Sequence, residues 1–170
     1  DSQVMLISTD EAIINQSIVE IKRQLNDLPR KAYAEKSLAY SKFILVKNEA
    51  EAVNILNTYA AEHLILACEN SELFSDKIQH AGSIFLGHFT PEAAGDYASG
   101  TNHTLPTNGF AHAYSGVNLD SFMKSMTFQK ISERGIQAIG KSIEIMAEKE
   151  GLQAHKNAVT LRLKAIENEK

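Results

Sequence analysis

Four short apolar runs alternate with stretches of helical periodicity, and this alternation constrains the fold more than any other feature of the sequence. The runs are residues 4–7, 43–46, 63–67 and 82–86. Between them, apolar residues recur at three- and four-residue intervals, which predicts amphipathic helices. Parallel strands require crossover connections of this kind. The sequence therefore predicts an α/β domain over residues 1–117, with a partly parallel sheet and flanking helices, as in an incomplete Rossmann-like domain.

The last third of the chain has a different pattern. Two long amphipathic segments, 131–150 and 154–166, are separated by Gly151, which predicts a helical hairpin. Two helices have little interior of their own, so the hairpin must pack on the α/β body or on another chain. We predict a mainly helical extension over 118–170, with a short helix at 119–124 and a strand at 126–131 before the hairpin.

Composition and charge exclude several classes of function. The formal net charge of the 170 residues is −4, and the basic residues are scattered, so no electrostatic footprint for nucleic acid is present. No apolar run approaches the roughly 18 residues that a membrane crossing requires. The lone Cys68 fits a reducing compartment, and we predict a cytoplasmic protein. Neither GxGxxG nor a Walker loop occurs, so the chain carries no familiar phosphate cradle.

The stretch 92–107, EAAGDYASGTNHTLPT, concentrates polar side chains among two glycines and a proline. This composition predicts a loop that presents Asp96 and His103 from a rigid scaffold. An ordinary surface loop, whose polar side chains bond their own backbone, is the alternative interpretation.

A carboxylate and an imidazole also stand side by side where a helix meets the third apolar run, in Glu62-His63. Such a pair can supply a general acid and a general base, although a solvated surface pair is the alternative. Zinc accepts histidine nitrogen and carboxylate oxygen, and Asp96, His103 and His155 are candidate metal ligands or substrate contacts. No HxxxH or CxxC spacing occurs, so any metal site must combine distant segments.

Short motifs along the chain together resemble the C-terminal part of the histidinol dehydrogenase family, and the resemblance runs from Asp1 to about Lys164. The motifs are Glu62-His-Leu64, His80-Ala-Gly-Ser-Ile-Phe-Leu-Gly87, Thr90-Pro-Glu92, Gly95-Asp-Tyr97, Gly100-Thr-Asn-His103, Leu105-Pro-Thr107 and Gln153-Ala-His-Lys156. The resemblance implies a zinc-dependent homodimer that oxidises L-histidinol to L-histidine through L-histidinaldehyde with two NAD in succession, in histidine biosynthesis.

The resemblance also implies roles for individual residues. By this resemblance His63 would be the general base, and Glu62 would activate the water that attacks the aldehyde. Asp96 and His155 would be zinc ligands. The implied substrate contacts are His63, Asp96, His103, Glu150 and His155. The resemblance implies that most NAD contacts lie in the family's N-terminal half, outside this sequence, and it does not identify which residues of this chain contact NAD.

The hairpin is expected to exchange between the subunits of a homodimer, so that Glu150 and His155 complete the other chain's site. The family's two remaining zinc ligands, a glutamine and a histidine, lie upstream of the motif that begins at Asp1. We therefore expect the 170 residues to be inactive alone. We also expect them to self-associate, because unpaired strand edges and exposed apolar faces favour association. The alternative is a non-catalytic dimerisation or binding module that retains relic site residues.

Overall fold

A computed structural model describes residues 2–168 of the chain. It divides the chain into two compact units, Asp1–Met123 and Lys124–Lys170, a few residues beyond the predicted boundary at 117/118. Asp1, where the family resemblance begins, and residues 169–170 of the predicted helical extension lie outside the described residues. No helix within residues 2–168 combines the length and the apolar character that a membrane crossing requires.

Four strands form in the first unit at the positions of the four apolar runs. They are β1 (Met5–Ser8), β2 (Lys42–Leu45), β3 (His63–Leu66) and β4 (Ser83–Leu86). The predicted α/β fold with parallel strands is confirmed, since β1 pairs with β2 and β3 pairs with β4, both in parallel. The single sheet that we expected is instead two separate two-stranded sheets within the described residues.

Five helices flank the strands of this unit. They are α1 (Glu11–Leu25), α2 (Lys31–Tyr40), α3 (Glu49–Tyr59), α4 (Ser71–Ser75) and α5 (Glu92–Tyr97). Short 3₁₀ helices follow at Phe110–His112 and at Leu119–Phe122, the latter at the place of the predicted short helix. Side-chain caps begin two of the long helices: Asp10 accepts a hydrogen bond from the backbone N–H of Ala12 and Asn48 accepts one from that of Glu51.

The core of this unit lies against the strands. Leu64 and Leu66 are buried on one face of β3, and Phe85 is buried on the opposite face of the β3–β4 sheet. A cavity of about 740 Å³ is lined by residues of both sheets and is mostly apolar, with Leu6 and Phe43 among its walls.

The prediction of a loop throughout 92–107 is wrong at its start, because residues 92–97 form α5. Glycine composition predicts an interruption of regular structure at Gly95, yet this residue lies inside the helix. A Cβ at this position would lie 2.6 Å from Cε1 of Phe85. The glycine therefore lets the helix approach the sheet closely, and this packing outweighs the roughly 1 kcal/mol that glycine costs a helix relative to alanine.

The second unit is a helical hairpin, as predicted, built from α6 (Glu133–Lys149) and α7 (Gln153–Asn168). Ser132 caps α6 by accepting a hydrogen bond from the backbone N–H of Gly135. Gly151 makes the turn with a φ of 72°, a conformation that glycine adopts without strain. Gly140 faces Leu163, where an added Cβ would lie 2.9 Å from Cδ1, so the two helices pack closely there.

The strand predicted at 126–131 is wrong, since this segment is neither strand nor helix. Met126 and Phe128 are largely exposed, and no strand in the described part of the second unit is available to pair with them. A strand needs a hydrogen-bonded neighbour, and an apolar pattern alone does not provide one.

One carboxylate is buried within the hairpin, that of Glu144, which is 7% exposed. Its oxygens accept a hydrogen bond from Oγ1 of Thr160 and lie 3.6 Å from Nζ of Lys141. The hydrogen bond from Thr160 is the main cause that lowers the pKa of Glu144 below its ordinary value of 4.5, and the charges of Lys141 and Lys156 add to it. Burial acts in the opposite direction.

Candidate functional site

The parallel register of β3 and β4 determines which side chains share a face of their sheet. His63 pairs with Ser83 and Ile65 pairs with Phe85, and alternation along a strand places these four residues on one face. The rings of His63 and Phe85 lie 5.9 Å apart on that face. His63 is thus the first residue of β3, and its ring lies near the buried ring of Phe85.

The backbone of Glu62 is held by the residues that begin β4. Ser83 donates its backbone N–H to the carbonyl oxygen of Glu62, at 2.9 Å, and Gly82 donates to Ala61 at the same distance. A Cβ at Gly82 would lie 2.5 Å from the Glu62 oxygen, so only glycine permits this approach without displacement. The Glu62-His63 pair therefore has a rigid backbone.

Helix α5 lies over the same face of the sheet, through the close contact of Gly95 with Phe85. Two side chains stabilise its ends: Thr90 donates a hydrogen bond to the carbonyl oxygen of Leu86, at 2.6 Å, and Thr101 donates one to that of Gly95, at 3.1 Å. The four-residue spacing of its two carboxylates, at 92 and 96, puts both on one side of the helix.

These elements bring three carboxylates to one imidazole. The Nε2 atom of His63 lies 3.6 Å from Oδ1 of Asp96 and 3.8 Å from Oε1 of Glu92. Its Nδ1 atom lies 3.9 Å from Oε1 of Glu62. The side chains of His63 and Asp96 are 21% and 22% exposed, whereas that of Glu92 is 50% exposed. Nε2 itself is buried and has no hydrogen-bond partner within residues 2–168.

The donor atoms of His63, Glu92 and Asp96 all lie within 4.8 Å of one another. Imidazole nitrogen and carboxylate oxygen are ligands that zinc accepts. Zinc bonds of about 2.0–2.1 Å in a tetrahedron separate neighbouring ligand atoms by roughly 3.4 Å, close to the distances found here. The chemistry of this donor set and the unpartnered Nε2 atom are therefore compatible with a metal ion beside Asp96.

The other residues suggested by the sequence lie elsewhere. His103 is exposed in the irregular segment after α5. Glu150 follows α6 as its C-cap residue and His155 lies in the first turn of α7, both exposed and both in the second unit. The structure thus brings together Glu62, His63 and Asp96, while Glu150 and His155 belong to the hairpin.

Glu92 is the residue that sequence reasoning missed. Its spacing from Asp96 is the signal that could have identified it, because residues four apart share one face of a helix. The prediction of a loop over 92–107 does not use that signal, because a loop has no helical period.

Comparison with known proteins finds similarity to one family throughout. Residues 1–163 match the histidinol dehydrogenase family. The chain is 57% identical over 166 residues to a histidinol dehydrogenase of Bacteroides fragilis, covering 98% of the chain and 39% of that relative. It is 49% identical over 168 residues to the chloroplastic histidinol dehydrogenase of Arabidopsis thaliana, covering 98% of the chain and 36% of that relative.

A solved structure is similar along the same length. The crystal structure of histidinol dehydrogenase from Elizabethkingia anophelis superposes with a TM-score of 0.93 at 55% sequence identity, covering 98% of this chain and 38% of that one. The 170 residues therefore span about two fifths of the length of the proteins to which they are similar.

Proposed function

This chain belongs to the histidinol dehydrogenase family, and on that premise we propose that the protein containing it oxidises L-histidinol to L-histidine through L-histidinaldehyde. The observation that carries the proposal is the cluster of Glu62, His63 and Asp96 on one face of the β3–β4 sheet. Each of the two oxidations removes a hydride from the carbon that bears oxygen and a proton from that oxygen. NAD, when bound, accepts the hydride in each step.

In the first oxidation, His63 takes the proton of the substrate hydroxyl as the hydride leaves the adjacent carbon, and the aldehyde forms. Histidine suits this role because its ordinary pKa lies near neutrality. The close backbone contact of Gly82 with Glu62 and the packing of the His63 ring near Phe85 support the role, because a base must be held in one orientation.

In the second oxidation, Glu62 takes a proton from the water that attacks the aldehyde carbon. As the water adds, protonated His63 returns the proton taken in the first oxidation to the aldehyde oxygen, which gives the hydrated aldehyde. His63, neutral again, then removes a hydroxyl proton from the hydrated aldehyde as the second hydride leaves, which yields the carboxylic acid. The two groups lie 3.9 Å apart, so they can act on one substrate carbon without moving far. This proximity supports both half-reactions at a single place.

We assign zinc to Asp96 and His155, and contact with the substrate to these two residues together with His63, His103 and Glu150. Zinc, when bound, anchors the imidazole and amine of the substrate and so fixes the alcohol carbon relative to the base. A carboxylate that is only 22% exposed beside an unpartnered imidazole nitrogen supports Asp96 as a ligand.

The proposed assembly is a homodimer that exchanges its C-terminal helices, so that Glu150 and His155 serve the partner's site. Large apolar side chains of the hairpin are exposed, including Ile145, Met146 and Leu161, and such faces favour association. The net charge of −4 gives no reason to expect nucleic acid as a partner, and we place the enzyme in the cytoplasm, which the lone Cys68 favours.

The test is turnover by the full-length protein that carries this sequence. With L-histidinol and excess NAD we expect two NADH for each L-histidine formed, loss of turnover after a zinc chelator, and recovery on adding zinc. The 170-residue chain alone is the control and should be inactive, because catalytic zinc sites use three protein ligands and the resemblance assigns two here. No NADH from the zinc-loaded full-length protein would refute the proposed function.

A further inference from the structure

The buried Nε2 atom of His63 lacks a hydrogen bond within the described part of the chain, although two carboxylates lie just beyond bonding distance. A neutral imidazole carries one N–H, and only the nitrogen without it can accept a proton. A histidine that acts as a base therefore needs an acceptor for its N–H, so that the other nitrogen stays bare. A buried N–H without an acceptor also costs about 1–3 kcal/mol.

The two nearby carboxylates are not equivalent as acceptors. Asp96, at 3.6 Å, is the proposed metal ligand, and a carboxylate that shares its charge with a cation is a weaker hydrogen-bond acceptor than a free one. Glu92, at 3.8 Å, has no hydrogen bond through its side chain to any other residue that the structure describes. Its longer side chain is half exposed, so a change of rotamer can close the roughly 0.9 Å that separates 3.8 Å from a typical hydrogen bond of about 2.9 Å.

We propose that Glu92 is a positioning residue that accepts the Nε2–H of His63. The hydrogen bond leaves Nδ1 bare as the nitrogen that takes the substrate proton, next to Glu62 at 3.9 Å. The four-residue spacing on α5 puts both carboxylates beside His63, and we assign Asp96 to the metal and Glu92 to the imidazole. This inference rests on the proposed function, and it follows the general rule that a catalytic base is oriented by a third group.

The experiment compares Glu92→Ala and Glu92→Gln in the full-length, zinc-loaded protein, with Glu72→Gln as a control at an exposed glutamate of α4. The Gln variant keeps an acceptor oxygen without the charge, whereas the Ala variant removes the acceptor. We expect Glu92→Ala to lower kcat roughly tenfold to a hundredfold with little change in KM for L-histidinol. Glu92→Gln should retain most of kcat, and Glu72→Gln should match the unmodified protein.

Two further measurements distinguish a role of Glu92 in orienting His63 from a role in binding zinc. Bound zinc per chain should be the same in all variants, because Glu92 is not assigned to the metal. Nitrogen-15 NMR of the His63 ring should give the Nε2–H tautomer in the unmodified protein and in Glu92→Gln, and a mixture of tautomers in Glu92→Ala.

Three results would overturn the assignment: unchanged kcat in Glu92→Ala, loss of zinc from the Glu92 variants, or an Nδ1–H tautomer in the unmodified protein. Absence of histidinol turnover in the unmodified protein would instead refute the proposed function. The zinc and tautomer measurements would still decide the role of Glu92 in that case.

Discussion

Each of the two units contains a buried polar group, but within residues 2–168 only the one in the hairpin has a hydrogen-bond partner. In the hairpin, the carboxylate of Glu144 is buried and accepts a hydrogen bond from Thr160, with Lys141 nearby. In the α/β unit, the Nε2 atom of His63 is buried without a partner among the residues that the structure describes. Since most buried polar atoms in proteins are paired, the unpaired one is the exception that calls for a functional explanation.

This contrast separates stability from function. A buried carboxylate with a donor and nearby cations stabilises the folded hairpin, because removing its partners would leave an uncompensated charge. The Nε2 atom of His63 makes no short hydrogen bond in the part of the chain that the structure describes, so it contributes little to stability, and its proposed contact with Glu92 serves to orient the base. Substitution of His63 should therefore change activity at constant stability, and substitution of Glu144 should do the reverse.

The largest expected effect is that of His63→Asn in the full-length protein. Removing a general base lowers kcat by roughly 10²- to 10⁴-fold, because no other group takes the hydroxyl proton at that position. The free energy of unfolding should change by less than about 1 kcal/mol, since Nε2 of the ring makes no short hydrogen bond to any described residue and the proposed acceptor, Glu92, is half exposed to water. Steady-state kinetics and urea denaturation of the same preparations measure the two quantities.

The matched control is His80→Asn in the same unit, at a histidine whose ring packs against His112. It should leave kcat unchanged. Retained turnover in His63→Asn would remove His63 from the role of base, and equal losses in both variants would point to general damage of the unit.

Sequence reasoning located the strands and the Glu62-His63 pair because both depend on local pattern. The apolar runs predict strands by themselves, and His63 is identified by a motif. Helix α5 was missed because glycine counts against a helix on propensity alone. The contact of Gly95 with Phe85 that reverses this preference joins residues distant in sequence, so local reasoning could not weigh it.

The segment 126–131 shows the opposite error. Its apolar residues favour a strand, yet strand formation depends on a partner that the segment itself does not contain. The division of the strands into two sheets was likewise not predictable, because apolar periodicity reports burial and not which strands are neighbours.

The second prediction concerns Gly82→Ala, which tests whether the backbone of the α/β unit is adapted to its site. The added Cβ would lie 2.5 Å from the backbone oxygen of Glu62, so Glu62 must move. A displacement of about 1 Å near reacting groups can cost on the order of 10²-fold in rate. We expect kcat for L-histidinol to fall by roughly that factor, with zinc content unchanged.

Gly140→Ala in the hairpin is the matched control, because its added Cβ would contact the side-chain end of Leu163 and no residue of the site. Its Cβ would lie 2.9 Å from Cδ1 of Leu163, and overpacking costs about 1–3 kcal/mol. Alanine recovers up to about 1 kcal/mol of helix propensity, so a net destabilisation of about 1 kcal/mol is expected. Equal effects of both variants on kcat would contradict the division of roles between the units.

The smallest expected effect is the acid sensitivity of the hairpin. Because the hydrogen bond from Thr160 lowers the pKa of Glu144 in the folded state, the folded hairpin favours the charged carboxylate. Its contribution to stability is fully present above the ordinary pKa of 4.5 and is lost as the pH falls through the lower folded value. The protection factors of the α6 amides, which compare each exchange rate with the intrinsic rate at the same pH, should therefore fall below about pH 4.5, and Glu144→Gln should weaken this dependence.

Glu148→Gln is the control for that experiment, because it removes a carboxylate one turn further along the same helix. Glu148 pairs with Lys156 at 3.0 Å, but its side chain is 59% exposed, and exposed ion pairs contribute little to stability. The acid dependence of exchange should therefore persist in this variant. Loss of the acid dependence in Glu148→Gln but not in Glu144→Gln would identify the exposed Glu148–Lys156 pair as the acid-sensitive element. The buried hydrogen bond between Glu144 and Thr160 would then not be what distinguishes the hairpin from the α/β unit.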